Sequence, residues 1–131
     1  MSTVVDANVV IAWQTPDHVF HADAVRLIGD AEPALYMHEL NLAEVLVGLD
    51  RNDWPHVVTT LVEMGFEFVT TDAIALAAAR VDGRVRMPDA CVLAAARTTG
   101  AAAVLTFDAT LRAAAAASGY LVNDVAVVRG D

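Results

Sequence analysis

Lysine is absent from the 131 residues, so all eight basic side chains are arginines. Against them stand 17 aspartates and glutamates, for a formal net charge of −9 at pH 7. Phosphate attraction normally needs a basic face, so this balance argues against a general nucleic-acid binder. The acid excess is either a solvated surface that keeps the protein soluble, or it is partly gathered in one place to bind cations or meet a basic partner. Cysteine is nearly missing too. The lone Cys91 cannot close an internal disulfide and suits a reducing compartment. The chain also lacks the Cys/His spacing of a zinc site. Although 56% of the residues are hydrophobic and mean hydropathy is +0.48, no apolar run reaches the roughly 18 residues that span a bilayer. The N-terminus has no charged region followed by a hydrophobic one, so no signal peptide is expected. These absences lead to the expectation of a cytoplasmic, globular chain with no membrane partner. Its length suits one domain over residues 1–131 with a single core.

What is present alternates short apolar runs with helical patterns, the signature of an α/β domain with a mainly parallel sheet. Thr3-Val4-Val5 reads as a first strand ending at Asp6. Val9 to Trp13 either continues a strand or starts a helix capped by Asn8. Residues 18–30 read as a helix, and Ala34 to Met37 as a strand. Leu42, Val45, Leu46 and Leu49 follow the i, i+3, i+4, i+7 spacing of a helix. Trp54 to Met64 is a helix with Pro55 near its first turn, and Phe66 to Val69 is a strand. Thr71 or Asp72 caps an Ala-rich helix running through Arg80. Gly83 breaks the chain. Pro88 and Asp89 open a helix that runs to about Thr99 and stops at Gly100. Val104 to Phe107 is a buried strand, and Asp108 looks like the N-cap of a helix ending at Gly119. Val125 to Val128 is a candidate last strand.

Three acids fall at mechanically similar places. Asp6 ends a strand, Asp108 ends another and opens a helix, and Asp89 lies in the first turn of a helix. Ligand sites of open α/β sheets form outside the carboxyl ends of the strands, and helix N-termini stabilise carboxylates. Glu44 sits opposite the Leu42/Val45/Leu46/Leu49 stripe, yet Leu40, Val47 and Gly48 surround it on its own side. A helix apolar nearly all round is expected to be buried, and a buried carboxylate needs something positive beside it. No base lies within one turn of Glu44; a metal shared with the other acids would satisfy it. Clustered carboxylates raise one another's pKa, and a divalent cation removes the repulsion. Oxygen ligands suit Mg²⁺, or Mn²⁺ in its place. A cation so held activates water and neutralises charge on a phosphate, so phosphodiester hydrolysis follows most naturally. The plainer reading is that each Asp at a helix start is only a cap, and that Glu44 pairs with a distant arginine.

Four segments in order carry a resemblance: Val4-Val5-Asp6-Ala7-Asn8-Val9-Val10, Asn41-Leu42-Ala43-Glu44-Val45-Leu46, Pro88-Asp89-Ala90-Cys91-Val92-Leu93 and Val104-Leu105-Thr106-Phe107-Asp108. Together they resemble the PIN-domain family, and most closely its VapC-type ribonuclease toxins. The likeness covers almost the whole chain. It implies a three-layer α/β/α fold with a central, mainly parallel five-stranded sheet, and a Mg²⁺- or Mn²⁺-dependent endoribonuclease. The positions matching the acidic ligands are Asp6, Glu44, Asp89 and Asp108, with Asn8 and Thr106 as small polar neighbours of the metal. The resemblance further implies an RNA substrate, a homodimer, and an antitoxin protein whose tail occupies the groove; a basic tail would suit this acidic chain. Arg84 and Arg86, in a loop just before Asp89, are the candidate phosphate contacts.

Rival chemistries fail on single residues. A haloacid-dehalogenase-like site needs a second Asp two residues after the nucleophile, where Asn8 stands. A receiver domain needs a late lysine, and there is none. A non-catalytic PIN-like module that binds RNA or protein remains the alternative. His18 and His21 lack a third ligand for a metal. His38 and His56 read as surface or capping residues, and Cys91 as core. Trp13 and Trp54 are more readily core or interface than base-stacking platforms.

Overall fold

The computed structural model describes residues 1–124. Among them, five strands form one all-parallel sheet: β1 (Thr3–Val5), β2 (Leu35–His38), β3 (Phe66–Val69), β4 (Ala103–Leu105) and β5 (Leu121–Val122), in the order β3-β2-β1-β4-β5. Seven α-helices connect or flank them: α1 (Ala7–Gln14), α2 (His21–Asp30), α3 (Glu39–Val47), α4 (Trp54–Glu63), α5 (Ala73–Gly83), α6 (Met87–Thr99) and α7 (Ala109–Ala117). A 3₁₀ turn, Arg51–Asp53, leads into α4. This is the three-layer α/β/α arrangement that the resemblance implied. No described helix is long and apolar enough to cross a membrane.

Strand alternation divides the interior. Successive side chains of a strand point to opposite faces, so Val5 and Leu105 enter one core while Val4 and Val104 enter the other. The first core gathers Val9, Val10, Ala24, Ile28, Met37, Val45, Leu61 and Phe66 under α1, α2, α3 and α4. The second is mostly alanine: Ala90, Ala94, Ala95 and Ala96 of α6 and Ala79 of α5 pack with Val92, Leu93 and Leu111. Small side chains let α6 lie close to the sheet and to α5, which is why this helix is buried along most of its length.

β1 is the central strand. The chain leaves it towards β2 and β3 on one side and comes back to β4 and β5 on the other. The gap between the carboxyl ends of β1 and β4 is therefore a topological switch point, where an open parallel sheet leaves a crevice. Asp6 follows β1 at this gap, and Thr106 to Asp108 follow β4.

Several local expectations are decided or corrected. Val9 to Trp13 is helix, and its N-cap is Asp6, whose Oδ1 accepts the Ala7 N–H at 2.8 Å; Asn8 lies inside the first turn. The helix expected over 18–30 begins at His21, because the His18 Nδ1 takes the Phe20 N–H at 3.0 Å and holds the preceding residues in a turn. Asp72, not Thr71, caps α5 by accepting the Ala75 N–H at 2.8 Å. α5 keeps Gly83, and the helix stops at Arg84, whose backbone is left-handed at φ 53°. The last described strand is Leu121–Val122; the candidate strand Val125 to Val128 lies outside the described residues. α3 is not buried all round: Leu40 is 52% and Val47 74% exposed. Its inner stripe is Asn41 and Val45, so Glu44 lies on an exposed side. The apolar count misled because only Asn41 and Val45 of α3 are buried, while Leu40 and Val47 face solvent.

Candidate functional site

Three acids from three distant stretches of chain line one cavity of about 140 Å³: Asp6, Glu44 and Asp89, together with Asn8, Ile11, Arg86 and Pro88. Asp6 is presented at the end of β1 as the cap of α1. Asp89 is carried in the first turn of α6, directly after Pro88. Asp6 and Asp89 are each only 7% exposed, whereas Glu44 reaches the cavity from the exposed side of α3.

Thr106 links the acids of the switch point. It is fully buried, and its hydroxyl donates to Asp6 Oδ2 at 2.8 Å. The same oxygen accepts the Asp108 N–H at 3.1 Å and the Asn8 Nδ2 at 3.4 Å. Asn8 completes the frame by accepting the Phe107 N–H at 3.1 Å. Asp108 is buried and caps α7, its Oδ1 accepting the Thr110 N–H at 2.9 Å. It is not among the residues lining the cavity, and its N–H is joined to the site by the Thr106 hydroxyl. Of the two arginines singled out, Arg86 lines the cavity and Arg84 does not.

Burial dominates the electrostatics of Asp6. It pushes the carboxyl up from 3.8 to about 7; the Thr106 hydroxyl pulls the other way, and the negative charges of Asp89 and Glu44 push further up. Cys91, one helical turn from Pro88 and nearly inaccessible, has its thiol raised by burial and then by Glu44 and Asp89. It is a packed core residue and not a nucleophile.

The donor chemistry fits a hard divalent cation. The cavity offers carboxylates and an amide, without sulfur or imidazole, and the charge crowding felt by Asp6 is what a cation relieves. Among the described residues, no three His, Cys, Asp or Glu side chains already stand in ligand geometry around one point. The two histidines that share a helical spacing are engaged elsewhere: His21 Nδ1 meets the Ala12 carbonyl at 2.9 Å, and His18 holds its own turn.

Two residues of the site escaped the sequence reading. Asn123 is buried after β5 and brackets one backbone unit, accepting the Thr106 N–H and donating to the Thr106 carbonyl, each at 2.9 Å. Arg112 Nε donates to the Asn123 carbonyl at 2.5 Å, tying α7 to the same point. The side chain thus replaces a neighbouring strand where β4 has ended. An asparagine directly after the short apolar pair Leu121-Val122 was the available signal. The second is Asn41, fully buried on α3. An amide amid leucines was its signal.

The chain is thus an α/β protein of parallel sheet with carboxylates gathered at its topological switch point. The chain belongs to the PIN-domain family, whose profile matches residues 3–117. Its fold is shared by a toxin–antitoxin complex from Klebsiella pneumoniae at 18% identity and TM-score 0.65, covering 80% of this chain and 85% of that one. It is likewise similar to VapC20 of Mycobacterium tuberculosis, described as a toxin that cleaves the sarcin–ricin loop. There the identity is 21% and the TM-score 0.68, over 91% of this chain and 96% of that one. VapBC2 of Rickettsia felis, bound to a promoter DNA fragment, matches at 10% identity and TM-score 0.64, over 94% and 98% of the two chains. No curated protein matches the chain.

Proposed function

We propose that the chain is a Mg²⁺-dependent endoribonuclease, with Mn²⁺ as a substitute, and the toxin of a VapBC-type toxin–antitoxin pair. The observation that carries this reading is the meeting of Asp6, Glu44 and Asp89 in one cavity, with Arg86 beside them. Membership of the PIN-domain family supports it, since PIN nucleases generally use divalent metal ions.

When bound, the cation supplies an activated water and neutralises charge on the phosphate. The chain's own groups do the rest. Asp6 and Asp89, both buried, hold negative charge at fixed positions. Glu44, on the solvent side, takes up a proton or orients a water at the mouth. Asp108 acts through Thr106, whose hydroxyl keeps one Asp6 oxygen turned to a fixed direction. Arg86 is placed to hold a phosphate of the RNA as it crosses the cavity.

The test is cleavage of an RNA oligonucleotide with Mg²⁺ and with a chelator. Cleavage only with metal, abolished in Asp89→Asn and Glu44→Gln while circular dichroism is unchanged, is the expected result. Binding of RNA without cleavage in any divalent metal would instead favour the non-catalytic PIN-like module. Arg86→Ala is expected to weaken RNA binding about tenfold, the worth of one charge-assisted hydrogen bond, and Arg84→Ala to leave it within twofold. Equal losses in a filter-binding titration would show that Arg86 has no special place.

The same reading makes the chain a homodimer silenced by an antitoxin with a basic tail. The formal net charge of −9 and the acids of the cavity favour a cationic segment there. Sedimentation at micromolar concentration reads the dimer directly; a monomer would remove that part of the proposal.

A further inference from the structure

Asn41 is 0% exposed, yet it satisfies only one end of its amide. Its Nδ2 donates to Glu44 Oε1 at 2.9 Å and to the Pro88 carbonyl at 3.2 Å. Its Oδ1 is buried with no hydrogen-bond partner. Both partners of the nitrogen are acceptors, so turning the amide over would set oxygen against oxygen twice. The orientation is therefore fixed, and with it the unpaired oxygen. A buried carbonyl without a partner destabilises the fold, and an apolar side chain of similar size would not carry that penalty. Stability alone favours leucine at this position.

The two acceptors explain the amide. Glu44 lies one turn further along α3 and lines the acidic cavity; Pro88 is the residue before Asp89 in the first turn of α6. We infer that Asn41 is a positioning residue: one buried amide nitrogen locks the Glu44 carboxylate of α3 against the turn of α6 that carries Asp89, at the expense of stability. This inference rests on the acids being a cation site. Without the lock, Glu44 is a long side chain on an exposed helix face, free to leave its neighbours. With it, Glu44 is held to the same cavity that Asp89 lines, although the two charges repel.

The experiment is Mn²⁺ titration calorimetry on the full chain, wild type against Asn41→Leu, Glu44→Gln and the double variant, with melting temperatures in chelator. Asn41→Leu is expected to lower Mn²⁺ affinity about tenfold, as supporting residues of metal sites do, while the metal-free melting temperature stays equal or rises. Glu44→Gln is expected to show the same order of loss, and the double variant to lose no more than Glu44→Gln alone. In the cleavage assay, kcat of Asn41→Leu should fall with KM for RNA unchanged. Unchanged Mn²⁺ affinity in Asn41→Leu, or losses that add in the double variant, overturns the inference. Should Asn41→Leu fail to fold, Asn41→Ser, which cannot overfill the site, takes its place; failure of both shows a structural residue and also overturns it. A wild type that takes Mn²⁺ but leaves RNA intact sinks the nuclease reading and not this one, whereas a wild type that takes no Mn²⁺ sinks both.

Discussion

Asp6→Asn is expected to lower Mg²⁺-dependent RNA cleavage by roughly three orders of magnitude, about 4 kcal/mol of transition-state stabilisation, and at the same time to stabilise the metal-free protein. The two effects have one cause. Asp6 is buried, shares a cavity with Asp89 and Glu44, and its carboxyl titrates near 7 in the folded chain against 3.8 as the ordinary value. Between those values the folded protein holds a proton that the unfolded chain has released. Stability of the metal-free form therefore falls as pH rises from about 4 to about 7, and the low-pH side is the stable one. A shift of this size corresponds to about 4 kcal/mol at full ionisation. Asparagine keeps the shape and the contact to the Ala7 N–H without the charge. Thermal melts in chelator from pH 5 to pH 8 check the sign: the wild type should lose stability across this range, and Asp6→Asn much less. A variant that melts lower than the wild type at pH 8 would show that the Asp6 carboxylate is a structural anchor, and the cation site would lose its main support. Added Mg²⁺ should raise the wild-type melting temperature at pH 8 and leave Asp6→Asn unmoved.

Thr106→Val carries the second large effect. Valine has the shape of threonine, so the cores on either side of the strand end are left intact. What is lost is the hydroxyl that donates to Asp6 Oδ2 and accepts the Asp108 N–H. Losing these two buried hydrogen bonds costs about 1–3 kcal/mol of stability. The hydroxyl is also the main influence holding the Asp6 carboxyl down against burial. Its removal pushes the carboxyl higher still, so the ionised form that binds cation is reached only at higher pH. The acidic limb of the cleavage profile should move to higher pH, with activity at pH 7 down about 10- to 100-fold. Thr106→Ser retains the hydroxyl and should restore both the limb and most of the rate. An unshifted limb in Thr106→Val, with kcat lowered uniformly at every pH, would mean that Thr106 orients the site without tuning Asp6.

These residues were legible to different degrees. Asp6, Asp89 and Asp108 stand out because each sits where a strand ends or a helix begins, and a parallel sheet gathers its strand ends at one edge. Glu44 was found for a reason the fold does not bear out. Its helix reads as buried from the spread of apolar residues, yet Leu40 and Val47 face outward, and Glu44 reaches the cavity from the exposed side. Asn123 and Asn41 were passed over because the one signal each offered, a polar residue beside apolar ones, has no spacing that points to a partner. Each acts by bonding to backbone or side chain far along the sequence, Asn123 to Thr106 and Asn41 to Pro88.

The alternation of apolar runs with helical spacing determined by itself an α/β chain with a parallel sheet, because side-chain periodicity follows from backbone geometry and needs no tertiary contact. The identity of the four acids, and the places of Asp6, Asp89 and Asp108 at element ends, were likewise local properties. Which acids share a cavity was decided only by the tertiary structure. Asp6, Glu44 and Asp89 line it together, Asp108 reaches it through the Thr106 hydroxyl, and Arg86 lines it where Arg84 does not. The strand order and the packing of α3 against α6 set those separations, and both arise from contacts between residues tens of positions apart, which no local pattern encodes.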